Sequence, residues 1–99
     1  WKRYDQKVSF DDRIDSVMTW FSLPMTNRPR LVMLYFHEPD WTGHKYGPSS
    51  AKTVDQIQRM DGIMGTIMDK AGKLSIADKL NVLIVSDHGM TEVHPKQII

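Results

Sequence analysis

Phe10, Ile14, Val17, Met18 and Phe21 recur at helical spacing and mark one apolar face. Ser9 stands before that face, and Asp11 and Asp12 follow it. A hydroxyl cap and acids near the positive end of the dipole predict a helix start there. Pro24 marks its end, and Thr26 to Arg30, with Pro29, reads as a turn. Leu31 to Phe36 is an unbroken apolar run, the pattern of a strand buried on both faces. His37 to Ser50 is polar, carries two Pro and two Gly, and reads as a loop of fourteen residues. Loops of that length in small domains are usually functional or disordered. A second helix is predicted to open near Ser50, with Val54, Ile57, Met60, Met64, Ile67 and Ala71 as its inner stripe. Gly62 and Gly65 each cost it about 1 kcal/mol relative to Ala, which suggests close packing there. Gly72 ends it, and Ser75 to Lys79 adds a short turn. Val82 to Val85 reads as a second buried strand, stopped by Ser86-Asp87-His88-Gly89.

The predicted order is helix, strand, long loop, helix, strand. The fold class expected is therefore α/β, with the two strands parallel and joined by a right-handed crossover. Parallel strands carry their loops at one C-terminal edge, where open α/β sheets bind ligands. That topology brings His37 to His44 close to Asp87 and His88.

Composition narrows the classes. At 99 residues and 11.5 kDa the chain has room for one small domain. It is 40% hydrophobic and 25% charged, which excludes a collagen-like or strongly disordered chain. The formal net charge of +1 leaves no footprint for nucleic acid. The longest apolar run is six residues, against the ~20 a membrane helix needs. With no cysteine, disulfides and thiolate zinc sites are excluded. The chain opens on Trp1 without an initiator Met and ends on Ile98-Ile99, so it is expected to be an internal piece of a larger protein.

Asp40 and His44 sit four apart in the first loop, and Asp87 and His88 are adjacent after the second strand. Two carboxylates and two imidazoles on one rim suit a divalent metal such as zinc, which takes both donors at ~2.0–2.2 Å. Two metals ~3.5–4 Å apart could share them and clamp a phosphoryl group. Blander readings stand beside this one. The Asp-x-x-x-His spacing alone also fits a solvated loop, and Asp-His-Gly also fits a plain turn. His37 reads as a solvated loop residue or a partner behind a ligand, and His94 as a turn residue. Trp1, Tyr4, Trp20, Phe21, Tyr35 and Phe36 read as core or edge packing, and the seven Met as core filler.

Leu34-Tyr35-Phe36-His37-Glu38-Pro39-Asp40-Trp41-Thr42-Gly43-His44-Lys45-Tyr46-Gly47-Pro48 resembles the E-P-D-x-x-G-H-x-x-G-P segment of the nucleotide pyrophosphatase/phosphodiesterase family, within the alkaline phosphatase superfamily. Asn81 to Met90 resembles its strand ending S-D-H-G-M, and Arg59 to Gly65 resembles an interior helix between the two. Upstream, Tyr4 to Phe10, Arg13 and Trp20 to Pro24 are similar to the family's Y-[ND]…R…W-[FL]-x-L-P run. The likeness runs to about Met90, and Thr91 to Ile99 match nothing in it.

The resemblance implies a piece of an alkaline-phosphatase-like sandwich and two zinc ions per complete site. It gives Asp40 and His44 to one zinc and Asp87 and His88 to the other. It gives Tyr4 the role of stacking on a nucleotide base. It implies a Thr or Ser nucleophile that forms a phosphoryl-enzyme. That nucleophile, an Asp ligand, a transition-state Asn and a third His fall outside this chain, so no catalytic nucleophile is assigned here. The expectation is part of a zinc-dependent phosphodiesterase or nucleotide pyrophosphatase, extracytoplasmic, inactive as an isolated piece. The partner expected is a nucleotide or another phosphodiester. Alternatives are a non-catalytic metal-binding or interaction module, or a superfamily hydrolase of choline-phosphate esters or phosphonates. Exposed apolar faces also predict self-association.

Overall fold

The computed structural model describes residues 3–94, so Trp1 lies outside the described residues. Helix α1 spans Phe10–Phe21, α2 spans Asp40–Tyr46 and α3 spans Ala51–Gly72, followed by a single 3-10 turn at Ala77–Lys79. The chain divides into two compact units. One holds the residues up to Phe36 together with Ile63–Asn81; the other holds His37–Gly62 and the residues from Val82.

The first unit is built on α1. Ser9 Oγ accepts from the Asp12 amide at 3.1 Å, so the cap expected from the sequence is the cap that forms. Among the described residues, Phe10, Ile14 and Val17 of α1, with Ile63 and Ala71 of α3, are the buried apolar side chains, and of these Ile14 is fully buried. Phe36 meets Phe10 edge to face, with ring centroids 4.9 Å apart. Lys70 of α3 pairs with Asp15 of α1.

The expected α/β class with two parallel strands is overturned: among the described residues no segment is paired as a strand, and the regular structure is helical. A strand exists through a ladder partner, and an apolar run does not supply one. Leu31 to Phe36 lies in the first unit with alternating accessibility. Leu31, Met33 and Tyr35 are exposed while Val32, Leu34 and Phe36 are half-buried. The run is therefore covered on one side only, not on both. Val82 to Val85 is exposed throughout, with Leu83 and Val85 above 80%. The continuous hydrophobicity reports what these runs avoid, not what covers them.

Two further expectations change. The fourteen-residue loop contains α2. Of the stripe expected on α3, Ala71 is buried and Met60, Met64 and Ile67 are half-buried, while Val54 and Ile57 are exposed and Ile63, outside that stripe, is buried. The α3 glycines are not close-packed either, since a Cβ at Gly62 or Gly65 would meet nothing within 4 Å. Gly65→Ala should therefore stabilise α3 by about 0.5–1 kcal/mol through backbone entropy. A melting temperature unchanged or lowered would show that Gly65 has another function.

Arg13 organises the N-terminal segment. Its Nε donates to the Val8 carbonyl at 3.1 Å, Nη1 to Tyr35 at 3.1 Å and Nη2 to Asp5 at 2.8 Å. The guanidinium also lies over the Tyr4 ring, 4.7 Å from its centroid. The planar fork spreads its donors over three nitrogens, each aimed at a different carbonyl, where an ammonium would have to reach all three from one atom. Arg13→Lys is expected to destabilise this unit by about 1–3 kcal/mol, seen as a lower urea midpoint. A midpoint matching the parent's would show that the three bonds are replaceable.

Candidate functional site

The second unit carries both Asp–His pairs. The local chemistry that makes α2 explains the first pair. Pro39 precedes the helix and offers it no side-chain cap. Glu38 does so instead. Its Oε2 accepts from the Thr42 amide at 3.1 Å and its Oε1 from the Thr42 hydroxyl at 2.9 Å. A carboxylate also suits the positive end of the helix. Thr42 is buried at 5% exposure, so this anchor holds the turn from beneath. At the other end Gly47, with φ +90°, closes α2 in a conformation an L side chain rarely adopts.

Once residues 40–46 are helical, Asp40 and His44 stand one turn apart on the same face. His44 Nε2 lies 3.3 Å from Asp40 Oδ1. Gly43, between them, is buried, and a Cβ there would stand 2.6 Å from Met90 Sδ. Met90 follows the second pair by two residues, so α2 and that segment meet where Gly43 leaves room.

The second pair is shaped by its own backbone. The His88 amide donates to Asp87 Oδ1 at 3.0 Å, and the Ser86 hydroxyl donates to the His88 carbonyl at 2.6 Å. His88 Nδ1 sits 2.9 Å from the Gly89 carbonyl, which can only accept. That bond puts the proton on Nδ1 and leaves the Nε2 lone pair free in the neutral ring. Nε2 lies 3.7 Å from Asp87 Oδ2 and 3.7 Å from Asp40 Oδ1. The Gly89 carbonyl first, then the Asp87 carboxylate, and least of all Asp40, hold the His88 imidazole above its usual pKa, with burial opposing them.

The four residues are thus brought together, with contacts running His44–Asp40–His88–Asp87. Asp40 is the middle member, and its Oδ1 is buried with no hydrogen-bond partner among the described residues. Among the described residues no three His, Asp or Glu side chains close around one point as a single metal-holding group. The arrangement is two donor pairs joined through Asp40. The His37 carbonyl accepts from the Trp41 amide at 3.2 Å, and His94 is exposed. Glu38 was legible only as part of the motif, because its capping role needs a helix that residues 37–50 do not announce.

Tyr4 lies in the first unit, 49% exposed. Its ring meets Tyr35 edge to face with centroids 5.5 Å apart, and Arg13 covers one face. Tyr4, Arg13, Val17, Trp20, Met33 and Tyr35 line an open cleft of about 160 Å³. That is wide enough for a single ring system and small against the ~300–1,000 Å³ of common ligand sites. Tyr35, read from the sequence as packing, is therefore exposed in the wall of this cleft.

A model of the type I phosphodiesterase / nucleotide pyrophosphatase family matches residues 1–99. The chain belongs to that family. Among curated relatives, ectonucleotide pyrophosphatase/phosphodiesterase family member 1 of Homo sapiens is 40% identical over 99 residues, all of this chain and 11% of that protein. Venom phosphodiesterase CdcPDE of Crotalus durissus collilineatus is 37% identical over 92 residues, 93% of this chain and 11% of that protein. Ectonucleotide pyrophosphatase/phosphodiesterase family member 7 of Mus musculus is 41% identical over 93 residues, 94% of this chain and 20% of that protein. The chain of this phosphodiesterase-family member thus spans about a tenth to a fifth of the length of these relatives. No helix among the described residues is long and apolar enough to cross a membrane.

Proposed function

We propose that this chain is the part of a zinc-dependent phosphodiesterase or nucleotide pyrophosphatase that supplies two pairs of metal ligands. Asp40 and His44 would hold one zinc, and Asp87 and His88 the other. The observation that carries this reading is the orphaned Asp40 Oδ1, buried and facing two imidazole Nε2 atoms at 3.3 and 3.7 Å. A buried carboxylate oxygen without a partner is costly, and a cation satisfies it. Donors 2.0–2.2 Å from a tetrahedral zinc stand about 3.3–3.6 Å apart; the first pair, at 3.3 Å, is in that range, and the second, at 3.7 Å, is just beyond it. The donor set of oxygen and imidazole nitrogen also fits zinc without thiolate.

When bound, the metal supplies charge that polarises the phosphoryl oxygens and favours an anionic nucleophile. The chain's own residues orient that charge. Glu38 fixes the first turn of α2 and so the direction of Asp40. The Gly89 carbonyl fixes the His88 tautomer, as partners behind zinc ligands commonly do. Tyr4, held by Arg13, offers one ring edge or face to a nucleotide base. Attack on phosphorus requires a nucleophile that this chain does not assign, so the piece by itself is inactive. The relatives named as ectoenzymes and venom enzymes support an extracytoplasmic location.

The test uses the full-length protein and p-nitrophenyl thymidine phosphate. Chelation should remove turnover, and zinc at a hundred times its Kd should restore it while stabilising the fold by about 2.7 kcal/mol. Full turnover after verified loss of all bound metal would refute the reading. The 99-residue chain with zinc should show no turnover above background.

A further inference from the structure

Residues 41–52 carry a second cluster that the metal pairs do not use. Lys45 Nζ lies 5.1 Å from the Trp41 ring centroid and 5.3 Å from that of Tyr46. Lys52 Nζ lies 3.9 Å from the Tyr46 centroid. Two ammonium groups thus converge on one pair of exposed rings. No acidic residue occurs between Asp40 and Asp55 in the sequence, and neither lysine has a carboxylate within 4 Å among the described residues. Glu92 approaches this corner, its Oε1 3.9 Å from where a Cβ on Gly47 would stand, yet it forms no ion pair with either lysine. Lys52 also sits in the first turn of α3, which holds no acid. An ammonium at the positive end of a helix is placed against the dipole. The corner therefore holds a surplus of positive charge that no carboxylate among the described residues pairs with.

Its position gives that surplus a use. Trp41 and Lys45 follow Asp40 and His44 by one residue each on α2, about 100° around the helix axis. The ring contacts hold the ammonium groups in place, and Lys45 first, then Lys52, hold the Tyr46 hydroxyl below its usual pKa. With their faces taken by ammonium groups, the rings are poorly placed to stack on a base. The ligand is therefore read by charge.

We propose that Lys45 and Lys52, steadied by Trp41 and Tyr46, form a subsite for a polyphosphate chain extending from the bond that is cleaved. This rests on the hydrolase reading above, and it favours substrates with several phosphates over singly charged diesters.

Binding of inorganic tripolyphosphate to the chelator-treated full-length protein, followed by calorimetry at low salt, tests the subsite without any turnover. The double variant K45Q/K52Q should bind at least about tenfold more weakly, because each lost bond is charge-assisted. The control K7Q/K73Q removes the same charge from exposed lysines elsewhere, and should change affinity less than about twofold, given screening. Equal losses in the two variants, or none in either, would overturn the subsite. A kinetic arm compares kcat/KM for a nucleoside triphosphate with that for p-nitrophenyl thymidine phosphate. K45Q/K52Q should lower that ratio about tenfold. An unaltered ratio with normal turnover removes the subsite and leaves the hydrolase reading intact. Absence of turnover on both substrates in the parent protein removes the hydrolase reading, and the calorimetry still decides whether polyphosphate binds.

Discussion

Asp40→Asn in the full-length protein is expected to lower kcat/KM for phosphodiester hydrolysis by at least about 10³-fold. The reason is position. Among the described residues Asp40 Oδ1 is the one carboxylate oxygen within 4 Å of both His44 and His88, so its loss disturbs both pairs. Removing a partner that merely orients a ligand costs roughly 10–100-fold, and removing the ligand itself costs more. Asn keeps the shape and removes the charge, so the helix remains. In the absence of zinc the change in stability should be small, within about 1 kcal/mol, since the Asp40–His contacts are partly exposed. In the presence of zinc the parent should gain stability and the variant much less. Bound zinc per molecule, rate, and melting temperature with and without metal check the three parts. A variant that retains both zinc and rate would show that Asp40 is not a ligand.

Ile14→Ala should have the largest effect on folding. Among the described residues Ile14 is the one fully buried large side chain, and Phe10, Val17, Ile63 and Ala71 are the other buried apolar ones. A truncation of this kind in a core removes transfer free energy and leaves a cavity, for about 2–5 kcal/mol. With so few buried apolar residues, little remains to collapse into the gap. The expected readout is amide exchange along α1 faster by roughly a hundredfold or more, because local protection follows local stability. Met18→Ala, on the half-buried side of the same helix, should accelerate exchange far less. Similar acceleration by the two would mean that the core is not centred on Ile14.

The helices and the sheet show what a sequence can and cannot carry. The cap and stripe of α1 are local, and Ser9, Phe10, Ile14 and Val17 do what their spacing predicts. The start of α3 is equally local: Ser50 Oγ accepts from the Thr53 amide at 3.2 Å. A strand is not local. Nothing in Leu31–Phe36 or Val82–Val85 names a partner, and high apolar content was read as burial that the structure does not show. Helix α2 was hidden for a different reason. Pro39, Gly43 and Gly47 punctuate the segment, and its stability comes from Glu38 and buried Thr42, not from an apolar stripe. Asp40, His44, Asp87 and His88, proposed above as metal ligands, were singled out through their motifs. Their meeting does not require the expected sheet, because α2 aligns the first pair and the Gly43–Met90 approach lies beside the second.

Anomalous diffraction at the zinc edge, on crystals of the full-length protein grown with zinc, tests the central claim most directly. Two peaks are expected, one at about 2.0–2.2 Å from Asp40 and His44 and the other at the same distance from Asp87 and His88. Zinc bound elsewhere in the molecule, with these four side chains uncoordinated, would contradict it.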